Sequence, residues 1–461
     1  MGAAAAPGAK LLAHLRIFYQ YAGMRSSAVA RRCSSVILLL CLLLMAACSK
    51  EQRITLRLAN WAGAEEARLV DRLLEVFQQQ HPEVRVVQES IPNQYREKIL
   101  TSFAAGSPPD VFLLDSGDVP AFVNRNLLVN LMPYLDRLGV RLEAYFPHVV
   151  AIAMRDGQLF ALPKDFTPMV VYYNKKLLRE NGVDYPQPGW TWDDFIAKCL
   201  ALRKDTDGDG RIDQFGTFFL RHFYQYQPFI WMNGGDILSP DGRQASGYLD
   251  SPQTIAAFRF LIGWHTKWKF TTPLDIQRNP TGYQKNQFYL GRVGFYFSGH
   301  WWLPELRRMM KKRKLEIGVV GYPRVPDRPY VNVMYESGWA VPRMTRHRKY
   351  ALKLAAFMAG EYAQRETARQ GLAISAMIQV AREVAAADTT GMERVFLEEV
   401  QYARQPWGTV VEDFTSIADV LPEIFDRVIW GGEPLEQVVR EIAQKIDRLL
   451  AAARQARDLP P

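Results

Sequence analysis

From Ile54 to Asp115 the spacing of apolar residues changes repeatedly, and this alternation limits the fold more than any other stretch of the chain. Ile54 to Leu58 alternates apolar with polar as a strand does, Val70, Leu73, Leu74 and Phe77 recur at helical spacing, and Val84 to Val87 reads as a second strand. A helix from about Gln94 carries Tyr95, Ile99 and Phe103 on one face. Gly106-Ser107-Pro108-Pro109 breaks it, and Val111 to Leu114 gives a third strand ending at Asp115. Strands alternating with helices predict an α/β fold with a mostly parallel sheet covered on both faces. Ligands of such sheets sit beyond the carboxyl ends of the strands, where Trp61 and Asp115 both fall.

Residues 1–47 stand apart from this globule. From Met24, a candidate start, Arg25, Arg31 and Arg32 form a basic region, Val36 to Met45 an apolar one, and Ala46-Ala47 a small-residue cleavage site, which is the pattern of a secretory signal. Met45-Ala46-Ala47-Cys48 resembles a bacterial lipobox, in which Cys48 would be lipidated; ordinary signal-peptidase cleavage is the alternative. The chain is therefore expected to be exported and anchored to a membrane through Cys48. Cys33 and Cys41 leave with the signal, so Cys199 remains alone and reads as core, on one helical face with Phe195 and Leu202. Loss of five cations, Lys10, Arg16, Arg25, Arg31 and Arg32, takes the formal charge from +9 to +4, a surplus too mild to argue for nucleic acid. The cluster Arg307-Arg308 with Lys311 to Lys314 reads as a solvated helix end.

A second set of elements begins near Leu162. Met169 to Tyr173 is a strand and Asn174 to Glu180 a short helix; Thr191 with Asp194 forms a capping-box pattern opening a helix to about Lys204. A strand at Phe215 to Phe219 follows, then helices around Tyr226 to Met232 and from Pro252 to Trp268. A further strand breaks at glycine into the aromatic turn Ser298-Gly299-His300-Trp301-Trp302. Ile317 to Val320 is another strand, and the final third is mainly helical.

The sequence lacks a G-x-S-x-G elbow, phosphate-binding and dinucleotide-binding glycine loops, and an H-E-x-x-H helix. A glycosidase needs two carboxylates facing one bond, and a pair such as Asp115 with Asp165 stays open on sequence grounds. What the chain offers instead is aromatic residues at turns: Trp61, Tyr173, Trp231, Trp301, Trp302, Trp339 and Trp407. Sugar rings present C–H faces that stack on aromatic planes, and their hydroxyls need fixed donors and acceptors.

The stretches ITLRLANWAG, YREKILTSFAAGSPPDVFLLDSGDV, GQLFALPKDFTPMVVYYNKKLLRENGV, TWDDFIAKCLALRKDTDGDGRIDQFG, FIWMNGGDIL, GRVGFYFSGHWWLPEL and ESGWAVPRMTRHRKYALKLAAFMAG, in that order, resemble the family 1 extracellular solute-binding proteins of ABC importers, the group that includes maltose-binding protein. The resemblance implies a two-lobe periplasmic-binding-protein fold of type II, with the ligand in a cleft between lobes joined by a hinge. Lobe 1 would comprise 53–162 plus 333–390 and lobe 2 would comprise 163–332 plus 391–461. It implies a monomeric, non-enzymatic, cofactor-free protein that hands a carbohydrate to membrane permease subunits. A non-sugar solute, a sensor role or a carbohydrate-active enzyme are the alternatives. Carried over residue by residue, it puts Trp61 and Asp115 on the lobe 1 side, Tyr173 and Trp231 on the lobe 2 side, with Ser298, His300, Trp301 and Trp339 completing the cleft. Asn93, Gln94 and Asp165 are further candidates for hydroxyl contacts, and Trp407 for stacking. Where the family often has a small residue after its Ser-Gly, this chain has His300.

The loop DTDGDGRIDQFG places Asp205, Asp207, Asp209 and Asp213 at positions 1, 3, 5 and 9 of an EF-hand-like loop, with the Arg211 carbonyl at 7. Position 12 is Gly216 where an EF-hand has its bidentate Glu, and Gln214 offers an amide oxygen just after the ninth. The loop reads either as a structural calcium clip on lobe 2 or as a solvated Asp/Gly turn.

Overall fold

The computed structural model describes residues 53–273 and 280–458, with the side chains of 280–284 and 456–458 excepted. The signal, Cys33, Cys41 and Cys48 lie outside the described residues. No described helix is long and apolar enough to cross a membrane.

The strands in chain order are β1 (Ile54–Asn60), β2 (Val84–Ser90), β3 (Val111–Asp115), β4 (Met154–Arg155), β5 (Gln158–Leu159), β6 (Leu162–Pro168), β7 (Val170–Asn174), β8 (Phe215–Thr217), β9 (Val293–Ser298), β10 (Ile317–Val320), β11 (Asn332–Ala340), β12 (Ile374–Ser375) and β13 (Ala403–Arg404). They form a larger sheet in the order β12-β6-β11-β3-β1-β2, with β13 on β11, a smaller sheet in the order β10-β7-β9-β8, and the β4-β5 hairpin. Helix Ala64–Gln80 covers the larger sheet through Leu69, Val70, Leu73, Leu74 and Phe77, whose spacing makes one continuous apolar stripe. Burying a side chain of that size contributes roughly 1.5–3 kcal/mol. On the smaller sheet, the helix Trp192–Leu202 opens with the expected capping box between Thr191 and Asp194 and buries Phe195, Cys199 and Leu202. Cys199 is a buried free thiol, as its spacing predicts.

The expectation of a mostly parallel sheet needs correction. β1 pairs with β3 and β8 with β9 in parallel, but β11 runs antiparallel to both β3 and β6, and β7 antiparallel to both β9 and β10. Helical crossovers give parallel pairing within β1 to β3 and between β8 and β9, but not for β7, β10 and β11. β11, absent from the sequence expectation, returns into the larger sheet from the opposite direction. Eight of its nine residues are buried, so it lacks the apolar–polar alternation that marks a half-exposed strand.

The chain leaves the larger sheet at Met169, between β6 and β7, and returns to it between Val320 and Asn332. These two passages are tied together: the Met169 N–H donates to the Val333 carbonyl (3.2 Å) and the Asn332 amide donates to the Met169 carbonyl (2.7 Å). The same Asn332 amide and the Tyr330 hydroxyl donate to Glu399, at 2.6 and 2.7 Å.

Candidate functional site

A cleft of about 640 Å³ opens where β3, β6 and β11 of the larger sheet meet the turn after β9. That volume is in the range of sites for small organic ligands.

One wall starts at the ends of β1 and β3. Trp61 follows β1 and meets Tyr95 edge-on, with ring centroids 5.2 Å apart. Tyr95 is held in place because its hydroxyl donates to the Leu113 carbonyl (2.8 Å) and accepts from the Leu113 N–H (3.0 Å). Asp115 ends β3, and its Oδ1 accepts the Gly117 N–H at 2.9 Å, opening the short turn that leads to Asp118. Asp118 in turn accepts from Arg96 at 2.5 Å, and the Arg96 guanidinium lies 5.7 Å over the Phe414 ring. β6 adds Asp165 and Thr167, and β11 adds Tyr335, Glu336 and Ser337.

The other wall comes from the turn after β9. The 3₁₀ turn His300–Trp302 divides its aromatics: Trp302 is fully buried, with its indole N–H on the Tyr289 hydroxyl at 2.9 Å, whereas Trp301 is 48% exposed. A Cβ at Gly299 would sit 2.4 Å from the Trp301 ring, so any larger residue there would displace that ring. Trp301, Tyr224 and Tyr335 face one another edge-on, with centroids 6.0–6.5 Å apart. His300 is buried; its Nε2 lies 2.9 Å from a Glu393 carboxylate oxygen, and its backbone N–H donates to Thr167 at 2.7 Å. Arg307 completes the anchor at 2.8 Å from Glu393. Burial alone would raise the Glu393 pKa, but His300 and Arg307 hold it below the usual glutamate value.

Charge dominates the floor. Burial, with the neighbouring charges of Asp118 and Asp165, pushes Asp115 up to about 7. Glu336, 3% exposed, is pushed well above the usual glutamate value by burial and by Asp165 and Asp115, and its Oε1 has no hydrogen-bond partner. Burial also raises Asp118, against the opposing pull of Arg96. Asp165 is better compensated: it accepts from Ser337 and is 2.5 Å from Lys164, which also reaches Glu66 at 3.0 Å.

Five of the sequence candidates therefore share this cleft: Trp61, Asp115, Asp165, His300 and Trp301. The others are placed elsewhere. Trp339 is 1% exposed and pairs with Leu113, deeper in the sheet than Asp115. Ser298 is buried in the β7–β9 ladder opposite Val170. Tyr173 packs on Tyr185 and lines a separate cavity beside β10. Trp231 is buried, with its indole N–H on Asp236 at 2.8 Å and Arg404 4.3 Å over its ring. Trp407 supports the wall from behind, packed on Phe223 and Phe414. Asn93 and Gln94 are exposed outside the cleft, Gln94 with a φ of 53° at the start of the helix Tyr95–Ala104. The sequence reading missed Arg96, Asp118, Tyr224, Tyr335 and Glu336. Asp118 and Glu336 stand within SGDV and ESGWAVP, the stretches that carry the family resemblance, and Tyr224 within the aromatic run FYQYQPF.

The aspartate loop is part of the smaller sheet's surroundings, between the helix Trp192–Leu202 and β8. Carboxylate oxygens of Asp205, Asp207 and Asp209 lie within 4.8 Å of one another. Asp213 and Gln214 are outside that cluster: Asp213 accepts from the Thr206 backbone N–H and hydroxyl, and the Gln214 amide nitrogen donates to the Leu202 carbonyl at 2.7 Å.

Residues 62–365 match the family model for bacterial extracellular solute-binding proteins. The chain belongs to this family. Among curated relatives, the diacetylchitobiose binding protein DasA of Streptomyces coelicolor is 24% identical over 45% of this chain and 46% of its own length, so the match spans under half of that relative. A binding protein of Brucella abortus is 23% identical over 86% of this chain and 96% of its own. Among solved structures, an ABC substrate-binding protein from Listeria monocytogenes in complex with cycloalternan superposes with a TM-score of 0.76 at 20% identity, covering 87% of this chain and 99% of that one. UgpB from Mycobacterium tuberculosis in complex with glycerophosphocholine gives 0.73 at 19% identity, with the same coverage. These likenesses show the two-lobe periplasmic-binding-protein fold. The relatives are binding proteins.

Proposed function

We propose that this protein is the substrate-binding subunit of an ABC importer and captures a carbohydrate in the cleft walled by Trp61, Asp115, Asp165, Tyr335, Glu336 and Trp301. The observation that carries this reading is the pairing of exposed aromatic faces with partly desolvated carboxylates in one cavity. The rings offer flat apolar surface to sugar C–H faces, and the carboxylates accept hydroxyl protons. That relatives of the same family bind diacetylchitobiose and cycloalternan supports it.

In this reading lobe 1 carries the larger sheet and lobe 2 the smaller one, and the passages at Met169 and between Val320 and Asn332 are the hinge. β6 then belongs to lobe 1, so the break falls past residue 163. A ligand that touches both walls binds the closed form better and shifts the open–closed equilibrium by that difference. The permease reads the closed form, and a lipid on Cys48 keeps the monomeric protein at the membrane. His300, fixed by Glu393 and Arg307, holds the aromatic turn rigid and brings Trp301 to the ligand in a set orientation. We further propose that Asp205, Asp207 and Asp209 with the Arg211 carbonyl form a structural calcium clip, without Asp213 and Gln214.

A thermal-shift screen tests the ligand class, because a molecule that binds only the folded form raises the melting temperature by mass action. Mono- or oligosaccharides are expected to raise it. A rise with glycerophosphodiesters or polyamines and none with any sugar would replace the carbohydrate reading, and release of shorter saccharides during incubation would replace it with an enzyme.

A further inference from the structure

Trp61 and Trp301, on the two sides of the cleft, are each followed by a helix. Glu65 lies in the first turn of the helix Ala64–Gln80, just after Trp61, and Arg308 lies in the helix Leu303–Arg313, just after Trp301. The Arg308 guanidinium donates to the Glu65 carboxylate at 3.4 Å, and neither residue lines the cleft. Among the described residues this is the one ion pair that joins residues 53–168, which carry β1 to β6, to residues 170–320, which carry β7 to β10. Glu66 is held by Lys164 at 3.0 Å and Arg307 by Glu393 at 2.8 Å, so the acidic end of one helix and the basic face of the other meet through Glu65 and Arg308. Lys311 and Lys312, both exposed, follow Arg308 at the spacing that shares a helix face and strengthen the positive potential there.

The size of the interaction decides what it can do. The Arg308 and Glu65 side chains are 63% and 64% exposed, and an exposed pair shifts an equilibrium by only roughly 1.5- to fivefold. Against the folding equilibrium such a factor is negligible. An open–closed equilibrium is far closer to balance, with a minor state of about 0.1–10%, and there the same factor is felt. The pair joins the lobes outside the two hinge passages, so rotation about those passages alters its separation. Once the charges part by more than a Debye length, about 10 Å at 0.1 M salt, their attraction is largely screened.

We propose that Glu65 and Arg308 form an electrostatic latch that favours the closed arrangement of the lobes without touching the ligand. This inference rests on the two-lobe carrier reading above and on the hinge assigned there.

Pulsed electron paramagnetic resonance reads the separation of the lobes between nitroxide labels on engineered exposed cysteines, one in the helix Ala64–Gln80 and one in the helix Trp192–Leu202. Cys199 is buried and stays unlabelled. The measurement is made at low salt, with the best saccharide from the thermal-shift screen at the concentration that half-saturates wild type. Glu65→Lys, which sets like charges together, is expected to lower the closed-to-open ratio about fivefold, and Glu65→Gln about twofold. The exchanged pair, Glu65→Arg with Arg308→Glu, should return to within about twofold of wild type. These differences should shrink at about 1 M salt, where the screening length falls to about 3 Å. Melting temperatures without ligand should stay close to that of wild type, because the pair is exposed.

An unchanged closed fraction in Glu65→Lys, or an exchanged pair no better than the single variants, overturns the latch and leaves the carrier reading standing. Closure by a solute that is not a saccharide, with none by any sugar, overturns the carbohydrate reading, and the same variants then test the latch with that solute. Label separations that no screened solute changes overturn the two-lobe carrier reading and the latch with it.

Discussion

Asp115 is the residue where structure and chemistry can be separated most cleanly. Its carboxyl moves from an ordinary 3.8 to about 7, mainly through burial and then through Asp118 and Asp165. A difference of that size corresponds to roughly 4 kcal/mol, an upper figure for a side chain at a cleft wall. Because the folded protein holds this proton more tightly than the unfolded chain does, stability is fully present below about pH 4. It falls as pH rises toward 7 and stays low above it. Asp115→Asn removes the charge but keeps the oxygen that accepts from Gly117. Urea unfolding should therefore show the variant equal to wild type within about 1 kcal/mol at pH 4 and more stable by about 2–4 kcal/mol at pH 8. Relief of Glu336, which Asp115 also pushes upward, acts in the same direction. The same variant should bind ligand roughly tenfold or more weakly, since a hydrogen bond to a charged acceptor is worth about 1.5–3 kcal/mol. A variant less stable than wild type at pH 8, or a difference independent of pH, would refute the picture of a destabilising, desolvated carboxylate.

Adjacent tryptophans should respond in opposite ways. Trp301→Ala is expected to change stability by less than about 1 kcal/mol, because the side chain is 48% exposed, yet to weaken ligand binding about tenfold or more. Trp302→Ala should cost about 3–5 kcal/mol in denaturant unfolding by opening a cavity beside Tyr172 and Tyr289. If Asp205, Asp207 and Asp209 hold calcium, adding the ion to chelated protein should raise its melting temperature, and Asp207→Asn should reduce that rise. An unchanged melting temperature assigns the loop to a solvated turn.

How much of this was legible in the sequence differs from element to element. β2 and the helices Ala64–Gln80 and Tyr95–Ala104 carry clear periodic patterns because each has one buried and one exposed face, β3 is buried almost throughout and is legible only as a short apolar run between the Gly106–Pro109 break and Asp115, and Thr191 announces its helix through a local capping bond. β11 is hidden because it is buried almost throughout, and its antiparallel course depends on a chain reversal far away in sequence. Among the candidate residues, Trp61 and Asp115 share the cleft as expected because a strand end fixes their location. Trp339 and Tyr173 were misplaced because an aromatic beside a turn or glycine looks the same whether it faces a cleft or a core. Glu336 was missed because nothing local marks a buried carboxylate whose meaning comes from Asp115 and Asp165 across the sheet.

The central claim is that the walls bearing Trp61 and Trp301 hold one saccharide between them. The most direct measurement is the affinity of the best saccharide from the thermal-shift screen for wild type, Trp61→Ala, Trp301→Ala and the double variant, by calorimetry. Each single variant is expected to lose roughly tenfold and the double variant about a hundredfold or more, with folding intact. Unchanged affinity in the double variant would place the ligand outside this cleft and contradict the account.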